Sequence, residues 1–347
     1  MSPPLRIAVI GAGLIGRRHA EMIDREPGCT LGAIVEPDAR AAAAAVADTG
    51  APILHDVTDL DDGSLNAVVI ATPHDTHGKV AMACAKRGLA ILLEKPIAHT
   101  PEVAQEIIDI CAEREVPLLI GHHRRYHNSV AEAKALLEGG EIGDLAAISA
   151  MWAARKPEDY FLEDWRKQPG GGPVMINLIH DIDLLRHICG EIVSVSALTS
   201  SRSRRMNVED TAAISLRLAN GALCSVVISD AALTPWSWEA ATGENPDVAR
   251  TGEAVYRFMG TKGSLEFPNM RVWRSVGGVD GDWSTLLESQ DLEHRTTIPM
   301  KAQLAHFIEV ARGEAEPMVS GADALKTLVA TQAVLRAALT GEQVDIL

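Results

Sequence analysis

Aromatic side chains are scarce in this chain. Phe, Trp and Tyr make up 4% of 347 residues. The core must be built from aliphatic side chains, and a hydrophobic content of 47% supplies enough of them. Positive charge is the second shortage. Lys and Arg number 32 against 47 Asp and Glu, for a net charge of −15. That balance argues against a nucleic acid or an anionic membrane surface as partner. The one basic cluster, Arg202-Ser203-Arg204-Arg205, reads as a solvated loop. Cysteine is the third shortage. The five cysteines, at 29, 84, 111, 189 and 224, form no Cys-x-x-Cys pair. They signal neither a disulfide framework nor a thiolate zinc site. Reduced thiols in a cytoplasmic protein are the expectation. No apolar run approaches the ~20 residues of a membrane helix. The Met-Ser-Pro-Pro start, running directly into a strand, does not read as a secretory signal. No metal site is expected, since His74 and His77 lack a third ligand nearby.

The length fits two domains better than one, with a boundary expected between residues 121 and 122. Up to there, apolar strands alternate with helices. Strands are expected at Leu5–Ile10, Leu31–Val35, Ala67–Ala71, Ala90–Leu93 and Pro117–Ile120. Helices are expected at Leu14–Arg25, Asp38–Ala47, His77–Arg87 and Pro101–Arg114. Thr100-Pro101-Glu102 opens the last with a hydroxyl cap, proline at N1 and an acid in the first turn. Near-continuous apolar strands between helices mark a parallel sheet covered on both faces.

Beyond Gly121 the pattern changes. Helices are expected at Ser129–Leu137, Pro173–Cys189, Met300–Arg312 and Gly321–Thr340. A strand is expected at Leu145–Ala154. Strand then follows strand from Ile192 to about Arg274, with hairpin signals at Asn220-Gly221 and at Gly260-Thr261-Lys262-Gly263. The segment Val276–Thr296 reads as an irregular loop. The expected fold is therefore α/β: an N-terminal Rossmann dinucleotide-binding domain, then an α+β domain with a largely antiparallel open sheet.

Gly11-Ala12-Gly13-Leu14-Ile15-Gly16 matches G-x-G-x-x-G between a strand and a helix. The first glycine allows a tight turn, the second admits a pyrophosphate, and the third lets helix and strand approach. The phosphates would rest on N–H groups of the Leu14 helix. Glu36 ends the next strand, 20 residues after Gly16, where a ribose-binding acid belongs. A carboxylate there accepts from the ribose hydroxyls and repels a 2′-phosphate, which favours NAD over NADP. Arg40 is the one nearby residue that works the other way. Ala71-Thr72-Pro73 and His77 follow the Ala67 strand and belong to the same crevice. Glu94-Lys95-Pro96 follows the Ala90 strand, so Lys95 stands where open α/β sheets bind ligands.

These motifs, with Arg124-Arg125-Tyr126, Trp165-Arg166, His180-Asp181-Ile182-Asp183 and Gly260-Thr261-Lys262-Gly263-Ser264, occur in an order that resembles the Gfo/Idh/MocA oxidoreductase family. That family includes glucose–fructose oxidoreductase and inositol dehydrogenase. The resemblance implies an NAD(P)-dependent dehydrogenase acting on a CH–OH group of a sugar, cyclitol or related polyol. It implies an open sheet that pairs subunits into a homodimer or homotetramer. It places Lys95 against substrate and nicotinamide and allows a cis Lys95–Pro96 peptide. It places Arg124 and Tyr126 toward substrate, and Glu94, Trp165 and Arg166 toward cofactor.

Alcohol oxidation needs a base within reach of the hydroxyl, and Lys95 and His180 are the two candidates. The family commonly has an Asp four residues before this histidine, where this chain has Ile176. Asn177, three residues before His180, can share its helix face and orient a hydroxyl without taking its proton. Asp181 and Asp183 are weaker candidates, and Asp183 reads as structural. His123, Lys156 and Tyr160 join Arg124, Tyr126 and Trp165 as groups expected to shape the pocket. Gly170-Gly171-Gly172 before Pro173 suits either a close backbone approach or a flexible connector. Two other functions fit the same motifs. One is redox-neutral, NAD-dependent glycoside cleavage. The other is a nucleotide or sugar sensor without turnover.

Overall fold

Six parallel strands form the first sheet: β1 (Leu5–Ile10), β2 (Cys29–Val35), β3 (Ile53–Leu54), β4 (Ala67–Ile70), β5 (Ala90–Leu93) and β6 (Leu118–Ile120). The computed structural model describes residues 3–46, 49–60, 63–278, 281–293 and 297–346. Strand order is β3-β2-β1-β4-β5-β6, the doubly wound order that opens a crevice at the carboxyl ends of the neighbouring β1 and β4, where the order reverses. All residues of β4 and β5 are buried. Each buried Val, Ile or Leu contributes about 1.5–3 kcal/mol, and only full burial on both faces explains such unbroken apolar runs. Helices α1 (Leu14–Arg25), α2 (Ala39–Val46), α3 (His77–Ala85) and α4 (Pro101–Glu113) supply the crossovers. The Thr100 hydroxyl caps α4 by accepting from the Val103 N–H at 3.3 Å, with Pro101 in the first turn. The short β3 has no counterpart in the expected elements, because two residues carry no periodicity.

The second sheet is mixed but mainly antiparallel. It contains β7 (Leu145–Ala153), β8 (Ile192–Ser200), β9 (Thr211–Leu218), β10 (Leu223–Ser229), β11 (Tyr256–Gly260), β12 (Gly263–Phe267), β13 (Arg271–Ser275), β14 (Leu287–Asp291) and β15 (Val344–Asp345). Its order is β14-β13-β12-β11-β7-β10-β9-β8-β15, and β7 with β10 is its parallel pair. Both expected hairpins form, β9–β10 around Asn220-Gly221 and β11–β12 around Thr261-Lys262. Burial alternates along β9 and along β10 as far as Ile228, so one face packs and the other is open. The packed face meets α5 (Asn128–Glu138), α6 (Ile179–Cys189), the short α7 (Trp238–Thr242) and the end of the last helix in one core. Trp238, Tyr256, Phe258 and Phe267 form its aromatic centre, with ring centroids 5.5–6.5 Å apart. The loop expected over Val276–Thr296 contains β14, which pairs with β13. Residues 279–280 and 294–296 of that span lie outside the described residues.

The chain divides into two compact units, residues 1–123 with 299–328, and 124–298 with 329–347. This differs from a single cut after residue 121. Helix α8 (Pro299–Ala311) packs on α1 and β5 of the first unit. Arg312 donates to the carbonyls of Pro3 and Gly28 at 3.3 Å, and the Ile120 N–H donates to the Val319 carbonyl at 3.0 Å. Helix α9 (Gly321–Thr340) starts in the first unit and ends in the second.

In the second unit, Arg125 forks onto Asp183 with bonds of 2.8 and 2.6 Å, and both residues are buried. Removing one partner of such a pair leaves an uncompensated charge at a cost of about 3–5 kcal/mol. Asp183 therefore belongs to the framework.

Candidate active site

The first unit gathers its site at the carboxyl ends of β1, β2, β4 and β5. Gly11 has φ +96°, and a Cβ on Gly16 would collide with the Gly11 carbonyl oxygen, so only glycine permits this turn. A Cβ on Gly13 would meet nothing within 4 Å. Gly13 is also the N-cap of α1 and brings no side-chain cap, and the first turn, through Leu14, Ile15 and Gly16, contains no acid. Its N–H groups face an open approach with favourable polarity, which suits a pyrophosphate.

Glu36 is half-buried at the end of β2. Its Oε2 accepts from the Ala12 N–H at 2.8 Å and its Oε1 from the Asp38 N–H at 3.0 Å. The carboxylate is thereby held beside the glycine turn, with lone pairs left for ribose hydroxyls. Ala71 closes the turn from the other side. Its N–H donates to the Ile10 carbonyl at 2.8 Å, and its own carbonyl abuts Gly11. The Thr72 hydroxyl accepts from Thr76 at 2.8 Å. His77 is buried, with ring nitrogens 2.9 Å from the Pro96 carbonyl and 3.0 Å from the Thr72 carbonyl. Burial pulls its pKa down despite those carbonyls, and the neutral ring donates to one of the two. His77 thus spans the turns after β4 and β5, and Pro73 sits between its anchors.

Lys95–Pro96 is cis. Lys95 is half-buried, whereas Glu94 before it is 8% exposed. Glu94 Oε1 lies 2.9 Å from His19 Nε2, and Oε2 accepts from the Lys95 N–H at 3.3 Å. Burial alone would raise the Glu94 carboxyl, but the His19 hydrogen bond and nearby positive charge hold it below the usual range. Sequence reasoning missed His19. Its signal was available, because His19 falls with Gly16, Ala20 and Ile23 on the buried face of α1.

The second unit holds the remaining candidates. Arg124, expected to face substrate, is 1% exposed and committed to its surroundings. Its guanidinium meets Glu239 at 2.8 Å, Asp181 at 3.4 Å and Glu244 at 3.9 Å. Trp152 and Trp238 donate to Glu239 and Glu244 at 2.8 and 2.7 Å, and the Tyr256 hydroxyl donates to Asp181. This is a buried electrostatic core, in which Arg124 is engaged by three carboxylates. Tyr126 is buried as well.

The expected helix Pro173–Cys189 begins with a π-helical turn, Val174–Leu178, before α6. Ile176 and Asn177 lie in that turn, so the α-helical spacing used to place them relative to His180 does not hold. Asn177 is half-buried, and its Oδ1 accepts from Lys156 Nζ at 2.8 Å. His180 is 7% exposed on α6. A Cβ on Gly172 would strike the Glu209 carboxylate, which also accepts from the Val174 N–H at 3.1 Å. That settles the glycine run as a close approach. Trp165 is exposed, while Arg166 donates to the Tyr160 carbonyl at 2.6 Å and lies 4.0 Å over the Tyr160 ring. Arg204, expected in a solvated loop, is bonded to Asp230 at 2.8 Å. Among the described residues no group of three or more His, Cys, Asp or Glu side chains is placed to hold a metal ion, and no helix is long and apolar enough to cross a membrane.

Residues 5–122 match the family model described as an oxidoreductase family with an NAD-binding Rossmann fold. Residues 130–266 match the GFO/IDH/MocA C-terminal domain. Inositol 2-dehydrogenase 2 of Saccharopolyspora erythraea is 34% identical over 65% of this chain and 66% of its own length, just under two thirds. The 1,5-anhydro-D-fructose reductase of Ensifer adhaerens is 27% identical over 98% of each chain. Among solved structures, the WlbA dehydrogenase of Bordetella pertussis, in complex with NADH and UDP-GlcNAcA, has a TM-score of 0.80 at 25% identity, covering 99% of each chain.

Two predictions follow from this geometry. Replacing Glu36 by Gln should raise the Kd for NAD about tenfold, as expected for a lost charge-assisted bond, and should narrow the gap to NADP. A wild-type protein that binds NADP more tightly than NAD would refute the role given to Glu36. The second concerns Asp181. Burial pushes its pKa up to about 6 from an ordinary 3.8, against the opposing pull of Arg124 and Tyr256. The folded state therefore keeps a proton that the unfolded chain has already released. This group's contribution to stability falls as pH rises from 3.8 to about 6. Thermal melts should show Asp181→Asn gaining on the wild type across that window, and parallel melting curves would contradict it.

Proposed function

Because the chain belongs to the Gfo/Idh/MocA oxidoreductase family, we propose that it oxidises a CH–OH group of a sugar, cyclitol or related polyol with NAD. The carrying observation is the convergence of the glycine turn, Glu36 and Lys95 at the carboxyl ends of neighbouring parallel strands. The names of its relatives, an inositol dehydrogenase and an anhydrofructose reductase, support a polyhydroxylated substrate. On this reading the first unit holds the nucleotide and the second reads the substrate.

NAD, when bound, supplies the hydride acceptor. The chain's own task is to take the hydroxyl proton as hydride leaves the carbon. Lys95 and His180 are the proposed proton-handling residues. Lys95 serves either as a cationic donor to the hydroxyl oxygen or, unprotonated, as its base. His180 offers an imidazole, the side chain best suited to proton exchange near neutrality. Asn177 orients rather than ionises. Trp165 and Arg166 are proposed to approach the cofactor, and Tyr126 to border the substrate.

The test is nicotinamide absorbance with a panel of cyclitols, sugars and polyols. NADH should form with at least one of them. Lys95→Met and His180→Ala should each lower kcat by about 10²–10⁴. A near-normal kcat for His180→Ala on the true substrate would remove His180 from the proposal. Product release without NADH would instead indicate redox-neutral cleavage.

We also propose that the open sheet face pairs subunits. Leu198, Leu223, Val227 and Met259 are exposed large hydrophobics on its strands, an arrangement that monomers seldom leave uncovered. Light scattering should return a dimer or tetramer, and a monomer at micromolar concentration would sink this idea.

A further inference from the structure

Asn177 has its orientation fixed from outside its own helix. Lys156 Nζ donates to its Oδ1 at 2.8 Å. An ammonium only donates, so the amide oxygen must face Lys156 and the two N–H bonds of Nδ2 must point elsewhere. Lys156 is held in place in turn. Its Nζ lies 3.9 Å from Asp230 Oδ2, 3.5 Å from the Tyr160 hydroxyl and 4.5 Å from the Tyr160 ring centroid. Asp230 is anchored by Arg204 Nε at 2.8 Å, and Arg166 lies over the same Tyr160 ring. The segment three residues before His180 therefore offers donors from an ammonium-set amide.

We propose that Lys156 and Asn177 form a specificity pair that selects a carboxylate-bearing substrate, a sugar acid of aldonate or uronate type, over its neutral polyol counterpart. Asn177 is the residue that reads the substrate, and Lys156 is a positioning residue that sets its amide. A carboxylate presents acceptors only and complements this donor surface. A hydroxyl in the same place gains one neutral hydrogen bond. An acid at residue 177 would repel the carboxylate. The inference rests on the dehydrogenase reading above and narrows its substrate class.

The test compares matched pairs on the NAD-loaded full chain by calorimetry: D-gluconate with D-glucitol, D-glucuronate with D-glucose, and galactarate with galactitol. In at least one pair the acid should bind about tenfold or more tightly, the range of one charge-assisted hydrogen bond. Asn177→Asp should abolish that preference, weakening the acid by more than its neutral partner. Lys156→Met should weaken the preference through KM rather than kcat in turnover assays, and Lys156→Arg should restore it. Asn177→Asp is nearly isosteric and decides the matter if Lys156→Met does not fold. Equal or tighter binding of the neutral partner in every pair overturns the proposal. So does a preference that survives Asn177→Asp, or no binding of any acid. A binding preference for the acid without NADH formation leaves the specificity pair standing and refutes the dehydrogenase reading instead.

Discussion

A carboxylate buried at the end of a central strand must be paired, and the nucleotide face of the first unit is organised around that requirement. Glu94 has lost its water, and an unpaired charge there would cost several kcal/mol. It is satisfied by His19 from α1 and by the N–H of Lys95. The same two bonds tie the helix that would carry the phosphates to the turn that carries Lys95. Gly121 packs against the Glu94 side chain so closely that a Cβ there would crowd it at 3.1 Å. His77 adds a second tie, from the turn after β4 to the Pro96 carbonyl. A tripeptide that looks catalytic in the sequence thus divides its labour. Glu94 and Pro96 serve structure, and Lys95 between them is the residue proposed for chemistry.

The second unit solves a related problem with more charge. One guanidinium, Arg124, stands among three carboxylates, and two indole N–H groups and a phenol complete the set. Buried ionic groups of this kind seldom add stability over an apolar core of the same shape, but they are costly to leave half-paired. Their effect here is to fix α7 and the start of α6 to the sheet through Glu239 and Asp181. His180 precedes Asp181 directly, so the electrostatic core sets where that histidine stands.

Much of this fold was legible because its signals are local. Parallel strands buried on both faces must be apolar throughout, and β1, α1 and β5 have the boundaries that the sequence pattern implies. The glycine turn and the Thr100 cap are steric and hydrogen-bonding rules acting within a few residues. What escaped was long-range. Arg124 meets Glu239 across 115 positions, and Lys156 meets Asn177 across 21. No periodicity records such pairings. The same is true of α8, whose apolar pattern does not reveal that it returns to the first unit.

The π-helical turn at Val174–Leu178 is the most consequential of these omissions. Face-sharing arguments assume 3.6 residues per turn, and under that assumption Ile176 stands one turn before His180 and Asn177 shares its face. A π turn is wider and changes that phase. Two polar contacts from outside the turn bear on it: Glu209 accepts from the Val174 N–H and leaves no room for a side chain at residue 172, and Lys156 donates to Asn177. Which polar atoms such a turn presents depends on its phase and on the partners that hold it, so the Lys156–Asn177 bond says more about this site than residue spacing does.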